Sequence, residues 1–335
     1  MPSTDLIRAA RRDALQISQP RPDAPLQALF ASARAATGEV GTYGSDGTLR
    51  HVHKTRAASV SRYSINDLEM PTFAAEPFRA VQAGLPTGTQ AGTRTTVADA
   101  VLRGGRGFQA GARLLVVPSA VEPAHASEGL VAWRRENMRF DCIAPAGFAV
   151  VDDGEDVPDG MLPIFRAAVD LETIPTMSFR VALSRADQRA YEEGQLADAA
   201  LASITLGIAR AADATLLAAI TATGPEAFTL GQAAALGLEF GELRALVGTN
   251  GAGGHVAPDG TFRAAFTSTT SGVLAELTPA TTGTVIGAFN RAAVAVHSDL
   301  ALLAERTNVN GDLTLTAHVS MQALIPMPDA FWKVG

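Results

Sequence analysis

The stretch that decides the fold of this chain is residues 177–223, with the sequence MSFRVALSRADQRAYEEGQLADAALASITLGIARAADATLLAAITAT. Apolar side chains stand at every second position from Met177 to Leu183, a spacing that predicts a half-buried strand. Ser184 then occupies a helix N-cap position, and Asp187 completes a capping-box-like pattern with it. The stretch therefore predicts a strand that feeds directly into a helix.

The helix predicted from this stretch runs from Arg185 to Ala222 and ends at Gly224-Pro225, because no proline interrupts it and alanine and leucine dominate it. At about 1.5 Å per residue it would be on the order of 55 Å long, which suits a structural spine. One helix face carries an apolar stripe that consists of Leu201, Ile204, Ile208 and Ala211. The polar side chains expected mostly away from that stripe are Glu192, Asp198, Thr205 and Asp213.

Composition places the chain among ordered proteins with enough residues for two or three domains. It has 335 residues, of which 47% are hydrophobic and 18% charged. A net charge of −7 argues against a primary role in gripping nucleic acid, which requires clustered cations, although enclosing nucleic acid needs no such cluster. The first residues lack the apolar segment of a secretory signal, and no uninterrupted apolar run predicts a membrane span.

Residues 1–113 predict an arm with short helices. Residues 26–36 have helical spacing, residues 38–47 are turn-rich, and residues 84–95 read as a Gly/Thr loop. The region has few large apolar side chains to form a core of its own, so we expect it to pack on something else.

Residues 128–165 predict a long, exposed hairpin, preceded by a short strand at 114–118. One limb of this hairpin is rich in arginine, and its turn is rich in carboxylates. Because a lone two-stranded ribbon is marginally stable in water, we expect it to lie against another copy of the chain. The residues expected at this inter-subunit interface are Trp133, Arg134, Arg135, Arg139, Asp152, Asp153 and Asp156.

The part after residue 224 starts with helical spacing in residues 228–246 and a glycine-rich run at 248–254. Residues 285–289 lead into residues 293–303 as a candidate strand pair. Asn310-Gly311 is a strong hairpin turn, and the alternation in residues 313–325 gives the clearest strand of the chain. Phe331-Trp332 supplies a closing apolar anchor.

The residues show no constellation typical of an enzyme, so we expect no catalytic, cofactor-binding or metal-binding residues. His51 and His53 lack a third ligand nearby, and Cys142, the only cysteine, has no evident histidine base. The run at 248–254 lacks the Gly-Lys-Ser/Thr ending of a phosphate loop. The carboxylates of residues 152–159 do not follow the spacing of a calcium loop and read as a solvated turn.

Three of these stretches, taken in order, resemble the major capsid proteins of tailed bacteriophages, which share the Hong Kong 97-type shell fold. They are the strand and long helix of 177–223, the ribbon with Trp133-Arg134-Arg135-Glu136, and the closing segment from Val285-Ile286-Gly287-Ala288-Phe289 to Phe331. The resemblance implies an α+β Hong Kong 97-like capsid fold with an N-terminal arm, an extended β-hairpin loop, a peripheral domain with a spine helix, and an axial domain. The expected divisions are 1–113 for the arm, 114–127 and 166–223 for the peripheral domain, 128–165 for the extended loop, 224–290 for the axial domain, and 291–335 for the return to the peripheral domain as a β-ribbon and final strand.

The resemblance also implies a function without catalysis. The chain would assemble into hexamers and pentamers that form an icosahedral head around double-stranded phage DNA, held by non-specific contact. It would reside in the virion after assembly in the host bacterial cytoplasm, with a portal and a separate scaffold or decoration protein as partners. Some relatives form isopeptide cross-links through a loop lysine, but no lysine stands between Lys54 and Lys333 here. The alternatives are an encapsulin-like compartment and an enzyme with an unrecognised site.

Overall fold

The computed structural model describes residues 25–35, 38–43, 49–55, 58–73, 89–118, 138–148, 150–151, 159–170, 174–190, 195–250, 254–256, 262–264, 273–306 and 311–334. The helices of these residues are α1 (Pro25–Ala35), α2 (Val97–Gly104), α3 (Arg106–Gln109), α4 (Arg185–Ala190), α5 (Gln195–Ala222) and α6 (Leu230–Ala235). The strands are β1 (Gly38–Tyr43), β2 (Leu49–Thr55), β3 (Ala58–Ser64), β4 (Glu69–Phe73), β5 (Thr89–Thr96), β6 (Arg113–Val117), β7 (Arg139–Ile143), β8 (Ile164–Ala168), β9 (Thr176–Leu183), β10 (Arg244–Val247), β11 (Gly254–Val256), β12 (Phe262–Ala264), β13 (Leu274–Leu277), β14 (Thr284–Gly287), β15 (Ala293–His297), β16 (Asp299–Arg306), β17 (Leu313–Leu324) and β18 (Phe331–Val334). The mixture of helices and strands confirms the predicted α+β class.

The main sheet is built around β17, the strand whose alternation was clearest in the sequence. Its order is β3-β16-β17-β15-β6, and β9 also pairs with β17. The β9–β17 register is antiparallel and runs from Leu183 opposite Leu313 to Thr176 opposite Ser320, whereas β6 runs parallel to β15. The strand predicted at 177–183 is therefore confirmed, and its neighbour is the closing strand of the chain.

Helix α5 covers one face of this sheet. Its predicted apolar stripe is confirmed, since Leu201, Ile204 and Ile208 are buried and Ala211 packs partly buried beside them. Farther along α5, the side chains of Leu216, Leu217 and Ile220 are also fully buried. The partners of α5 in the core include alternate residues of β17, so the two patterns read from the sequence meet in one cluster.

The opposite face of the sheet is covered by the hairpin of β7 and β8. Along β15, Val294 and Val296 belong to the core on the α5 side, whereas Ala293 and Ala295 belong to a separate cluster. Side chains of β7 and β8 pack against that second cluster. Because successive side chains of a strand point to opposite faces, the long helix and the hairpin lie on opposite sides of the main sheet.

The predicted long helix differs from the structure in two ways. It is described as two helices, α4 and α5, and residues 191–194 lie outside the described residues. Helix α5 alone has 28 residues, which corresponds to about 42 Å. The expectation that Thr205 and Asp213 lie away from the apolar stripe was wrong, because both are buried. Each satisfies its polar atoms: Thr205 Oγ1 donates to the carbonyl oxygen of Leu201 at 2.8 Å, and Asp213 accepts two backbone hydrogen bonds.

The length and apolar composition of α5 would also suit a membrane-spanning helix. Residues Leu196–Ala222 are long and apolar enough to cross a membrane, and half of the most apolar window is buried inside the structure. A core helix of a water-soluble protein passes the same test. The burial of Leu201, Ile208 and Leu216 in the main core cluster is what such a core helix requires.

A second sheet follows α5 and has the order β13-β10-β14-β18. The final strand β18 pairs antiparallel with β14 in this sheet, which differs from the expectation that grouped it with the ribbon of residues 291–335. The candidate pairing of residues 285–289 with residues 293–303 was also wrong, since β14 lies in the second sheet and β15 in the main sheet. The predicted ribbon itself is confirmed, because β16 and β17 pair antiparallel.

The N-terminal region contains more strand than its sequence predicts. Helix α1 agrees with the predicted helical spacing, and its Leu26, Leu29 and Phe30 are buried in the main core. The turn-rich interpretation of residues 38–47 was wrong for β1, which pairs with β2, and the loop interpretation of residues 84–95 was wrong for β5, which pairs with β4. Strand β3 joins the main sheet beside β16. The β3–β16 pairing joins segments far apart in the chain, so short-range patterns do not reveal it.

Candidate interaction surface

The hairpin of β7 and β8 forms the base of the predicted extended loop. The two strands pair antiparallel from Arg139 opposite Ala168 to Ile143 opposite Ile164. Phe140 and Ala167 face the main sheet and pack on the cluster around Ala293 and Ala295. The hairpin is thereby anchored at its base, and the described residues 144–148, 150–151 and 159–163 lie between its two strands in the sequence.

Large apolar side chains in and next to β7 and β8 are exposed to solvent in the single chain. Phe148 and Val150 are each 98% exposed, and Met161 is 96% exposed. Leu162 and Ile143 are also strongly exposed. Isolated exposed apolar residues are ordinary, but a set this large on one loop marks an interaction surface. We call these five residues the apolar hairpin surface.

Charged side chains at the hairpin base form a small ion-pair network. Asp141 Oδ1 lies 3.0 Å from Arg166 Nε, and Asp141 Oδ2 lies 3.3 Å from Arg139 Nε. Asp141 and Arg166 are directly opposite in the strand register, which explains their contact. One carboxylate thus pairs with two guanidinium groups, so this network of three side chains has a net positive charge.

Of the predicted interface residues, only Arg139 is among the residues that the structure describes. Trp133, Arg134, Arg135, Asp152, Asp153 and Asp156 lie outside the described residues. Arg139 is described, exposed, and pairs with Asp141 of its own strand. The interface proposed from the sequence therefore stays a prediction. The apolar hairpin surface was not predicted, because the exposure of Phe148 and Val150 is a property of the folded chain and not of their residue types.

A cavity of about 580 Å³ lies beside the hairpin base. Its walls come from β6, β7, the link between β14 and β15, and the turns near Glu242 and Met327. The lining residues are Arg113, Leu114, Leu115, Phe140, Asp141, Cys142, Ile143, Glu242, Asn290, Arg291 and Met327. The cavity therefore sits where the main sheet, the hairpin and the second sheet meet.

Cys142 lines this cavity as a buried thiol. It is 8% exposed, and its Sγ lies 3.6 Å from the carbonyl oxygen of Arg291, to which it donates. Burial raises the pKa of the Cys142 thiol, with Asp141 adding to the rise and Arg291 opposing it. The thiol is therefore held in its protonated form, which is unsuited to nucleophilic attack. No histidine is among the residues that line the cavity.

Glu242 and Arg291 fasten the second sheet to the link between the sheets. Glu242 Oε1 accepts from Asn290 Nδ2 at 3.2 Å and lies 4.0 Å from Arg291 Nη2. The pKa of Glu242 is lowered, first by the hydrogen bond from the backbone N–H of Glu239, then by the contacts with Asn290 and Arg291, while burial opposes the shift. The carboxylate is therefore ionised at neutral pH and occupied by neighbours of its own chain.

The described residues of the other motifs considered in the sequence do not form a ligand-binding site. Among the described residues, no group of three or more His, Cys, Asp or Glu side chains could hold a metal ion. In the glycine-rich run, the backbone N–H groups of Thr249 and Asn250 donate to the carbonyl oxygens of Thr281 and Thr282 at 3.0 and 2.9 Å. Those two amides are therefore not free to cradle a phosphate group. The acidic residues 152–158 lie outside the described residues.

Comparison with known proteins finds matches among solved structures only; no family model and no curated protein matches the chain. The mature capsid of bacteriophage PhiM1 matches with 11% identity and a TM-score of 0.41, covering 68% of this chain and 86% of that chain. The capsid of a native GTA particle matches with 11% identity and a TM-score of 0.43, covering 76% and 94%. A virus-like particle from Pyrococcus furiosus matches with 12% identity and a TM-score of 0.40, covering 71% and 96%. Two of these three structures are described as capsids and the third as a virus-like particle.

Proposed function

We propose that this chain is the major shell protein of a phage-type particle, which assembles into hexamers and pentamers around double-stranded DNA. The observation that carries the proposal is the apolar hairpin surface, with Phe148, Val150 and Met161 almost fully exposed in the single chain. Large apolar side chains that are exposed to water cost free energy and are stabilised when a partner covers them. A chain that meets its own copies supplies that partner.

The two-sided architecture supports the same proposal. Helix α5 stiffens one face of the main sheet, and the hairpin lies on the other face. Two copies placed side by side can therefore meet through the hairpin without disturbing the core of either. Contacts between different surfaces of identical subunits close into rings when the rotation between the subunits allows it, as hexamers and pentamers require.

Charge supports enclosure of DNA in preference to tight binding. A net charge of −7 gives little attraction for phosphates, so DNA would be held by confinement and diffuse contacts. The finished particle would be the virion head, assembled in the host bacterial cytoplasm with a portal and a separate scaffold or decoration protein. The domain divisions expected from the sequence belong to this proposal as well.

The hairpin arginines would complete the interface between copies. In this proposal Arg134, Arg135 and Arg139 of one copy meet carboxylates such as Asp152, Asp153 and Asp156 of a neighbour. Reversing the charge with Arg134→Glu and Arg135→Glu together is expected to abolish or misdirect assembly. Normal particles from that double variant would refute this part of the proposal.

Sedimentation velocity of the purified protein tests the function itself. A shell protein gives particles of megadalton size or free capsomers, whereas an enzyme sediments as a monomer or small oligomer. Nuclease-protected DNA inside the particles would support a phage head, and an enclosed protein would support an encapsulin-like compartment instead. A monomer at all concentrations would overturn the proposal.

A further inference from the structure

A buried carboxylate on α5 lies at the junction of that helix with the short helix α3. Asp213 is 5% exposed, its Oδ2 accepts from the backbone N–H of Arg106, and its Oδ1 accepts from that of Gly107. Helix α3 has only four residues. Because so short a helix is not stable through its own hydrogen bonds, the contact with Asp213 is what holds it on α5.

The segment 104–107, with the sequence Gly-Gly-Arg-Gly, brings its backbone unusually close to this carboxylate. A Cβ atom at Gly107 would lie 2.9 Å from Cδ2 of Leu216 and 3.1 Å from Oδ1 of Asp213. A Cβ atom at Gly105 would lie 3.3 Å from the same oxygen. Side chains at these two positions would crowd the carboxylate, so the glycines allow the backbone amides to reach it.

The side chain of Arg106 extends this contact to the second sheet. Arg106 Nη1 lies 3.5 Å from Oε2 of Glu276 on β13, and the two side chains are 40% and 47% exposed. Strand β13 is an edge strand of the second sheet, where it pairs with β10. Helix α3 therefore contacts α5 through its backbone and β13 through its guanidinium group. An ion pair as exposed as this one is a weak link that forms and breaks readily.

The charged groups around Asp213 come mainly from α2 and α3. Burial raises the pKa of Asp213, and the two backbone hydrogen bonds and the charge of Arg106 oppose the rise. Helix α2 carries Asp99, which is exposed, and Arg103, which donates to the carbonyl oxygen of Asp99 at 3.3 Å. Glu276 contacts Arg106 and not Asp213. The other charged or titratable side chains of α5 and of the elements in contact with it are Asp198 and Arg210 of α5, Arg34 of α1, Glu69 of β4, His297 of β15 and His318 of β17.

We propose that α3 is a proton-sensitive tie that couples the edge of the second sheet to helix α5. Release of α3 exposes Asp213 to water, where its carboxyl has its ordinary affinity for protons. When α3 is docked, burial favours the protonated form, which still offers a carbonyl oxygen to one amide. The tie belongs to the single chain and does not depend on the proposed function.

The direction of the pH effect follows from the raised pKa of Asp213. Docking of α3 is strongest when Asp213 carries its proton. It weakens as the pH rises from the ordinary pKa of an aspartate through the raised pKa of the docked state, because only the docked state holds the proton in that range. When α3 leaves α5, the contact between Arg106 and Glu276 no longer restrains β13.

Hydrogen–deuterium exchange of the purified full chain tests both ends of the tie. Exchange is followed from about pH 4 to about pH 8 and corrected for the intrinsic rate at each pH. We expect the peptide with Arg106 and Gly107 to lose protection by about threefold or more as the pH rises. The peptide with β13 is expected to lose about twofold, since an exposed ion pair transmits little. The peptide with β18, at the other edge of the second sheet, is expected to stay unchanged.

Three variants separate the parts of the tie. Asp213→Asn has no proton to lose, so both responses are expected to disappear. Arg106→Gln removes a charge that lowers the pKa of Asp213, so the loss of protection in α3 is expected to move to higher pH. Glu276→Gln is expected to keep the response of α3 and to abolish that of β13. The matched control is Asp99→Asn on α2, which is expected to behave as the parent protein.

Each part of the proposal has its own contrary outcome. Protection of α3 that does not change with pH, or that changes equally in Asp213→Asn, would overturn the proton sensitivity. A response of β13 that survives Glu276→Gln would overturn the coupling. If Asp213→Asn does not fold, Arg106→Gln decides the first point, because a pH dependence identical to that of the parent protein would overturn the role of Asp213.

Discussion

Asp213 on α5 anchors the short helix α3 through two backbone amides. Its Oδ2 accepts from the N–H of Arg106 and its Oδ1 from the N–H of Gly107, each at 2.8 Å. Burial raises the pKa of this carboxyl, and the two hydrogen bonds and Arg106 oppose the rise. A carboxylate is kept in this buried position because it alone among small side chains offers one acceptor oxygen to each amide.

Replacing Asp213 with alanine is expected to lower the free energy of unfolding by about 2–4 kcal/mol, because the buried amide of Gly107 and the partly buried amide of Arg106 lose their acceptor. Asp213→Asn keeps one acceptor oxygen and is expected to lose less stability.

The stability contributed by Asp213 is also expected to depend on pH. Since the pKa of Asp213 is raised in the folded state, the folded protein binds a proton that the unfolded chain releases. The free energy of unfolding therefore falls as the pH rises from the unfolded carboxyl value through the folded one, and the Asn variant lacks this change. Urea unfolding at several pH values measures both effects; an alanine variant as stable as the parent protein would contradict the account.

Gly287 at the end of β14 leaves room for the closing strand. A Cβ atom there would lie 2.3 Å from a ring carbon of Phe331 and 2.8 Å from the carbonyl oxygen of Ala330. Gly287→Ala is therefore expected to destabilise the protein by about 1–3 kcal/mol through overpacking. Gly283→Ala is the control, because its added Cβ meets nothing within 4 Å. Equal thermal midpoints for the two variants would show that β14 and β18 are not packed as described.

Helix α5 shows how far sequence patterns reach at the scale of an element. The strand β9, the cap of α4 and the apolar stripe of α5 were predicted correctly, because each depends on neighbours within about two helical turns. Ser184 Oγ accepts from the N–H of Asp187 at 3.1 Å, and Asp187 Oδ2 accepts from the N–H of Ser184 at 3.0 Å, as the capping pattern predicted. The buried position of Asp213 could not be predicted, since its partners in α3 come from another part of the chain.

Truncation of the α5 core is expected to cost much more than truncation of its exposed face. Leu216 is 1% exposed, so Leu216→Ala should lower the free energy of unfolding by about 2–5 kcal/mol through the cavity it leaves. Leu206 is exposed on the same helix, and Leu206→Ala should change stability by less than about 1 kcal/mol. Denaturant midpoints of the two variants measure the difference. Similar losses for both would mean that α5 does not bury Leu216 in the core as described.

The exposed hairpin residues differ from the core residues of α5, because in the proposed function they act in assembly and do not stabilise the single chain. Phe148→Asp is expected to leave the free energy of unfolding unchanged within about 0.5 kcal/mol, since the side chain is 98% exposed. The same variant should abolish assembly, because a carboxylate replaces an apolar contact between copies. Phe148→Tyr keeps the aromatic ring and should still assemble. Light scattering after dilution into assembly buffer distinguishes the variants, and normal assembly of Phe148→Asp would contradict the proposal.

At the scale of the whole molecule, the sequence predicted the mixed class and the spine but missed most of the N-terminal strands. Strands β1, β3 and β5 are rich in Gly, Ser, Thr and Arg, so their apolar alternation is weak. Strand β3 pairs with the distant β16, whereas β1 and β5 pair with their neighbours in the chain, β2 and β4. The interaction surface was missed for a related reason, because exposure is a property of the folded chain and not of residue type.

The central claim is that this chain builds a shell from copies of itself. Negative-stain electron microscopy of the purified protein tests it most directly. The account predicts closed, uniform particles or rings of five and six subunits, and their loss in Phe148→Asp. Well-folded protein that shows only single molecules at assembly concentrations would contradict it.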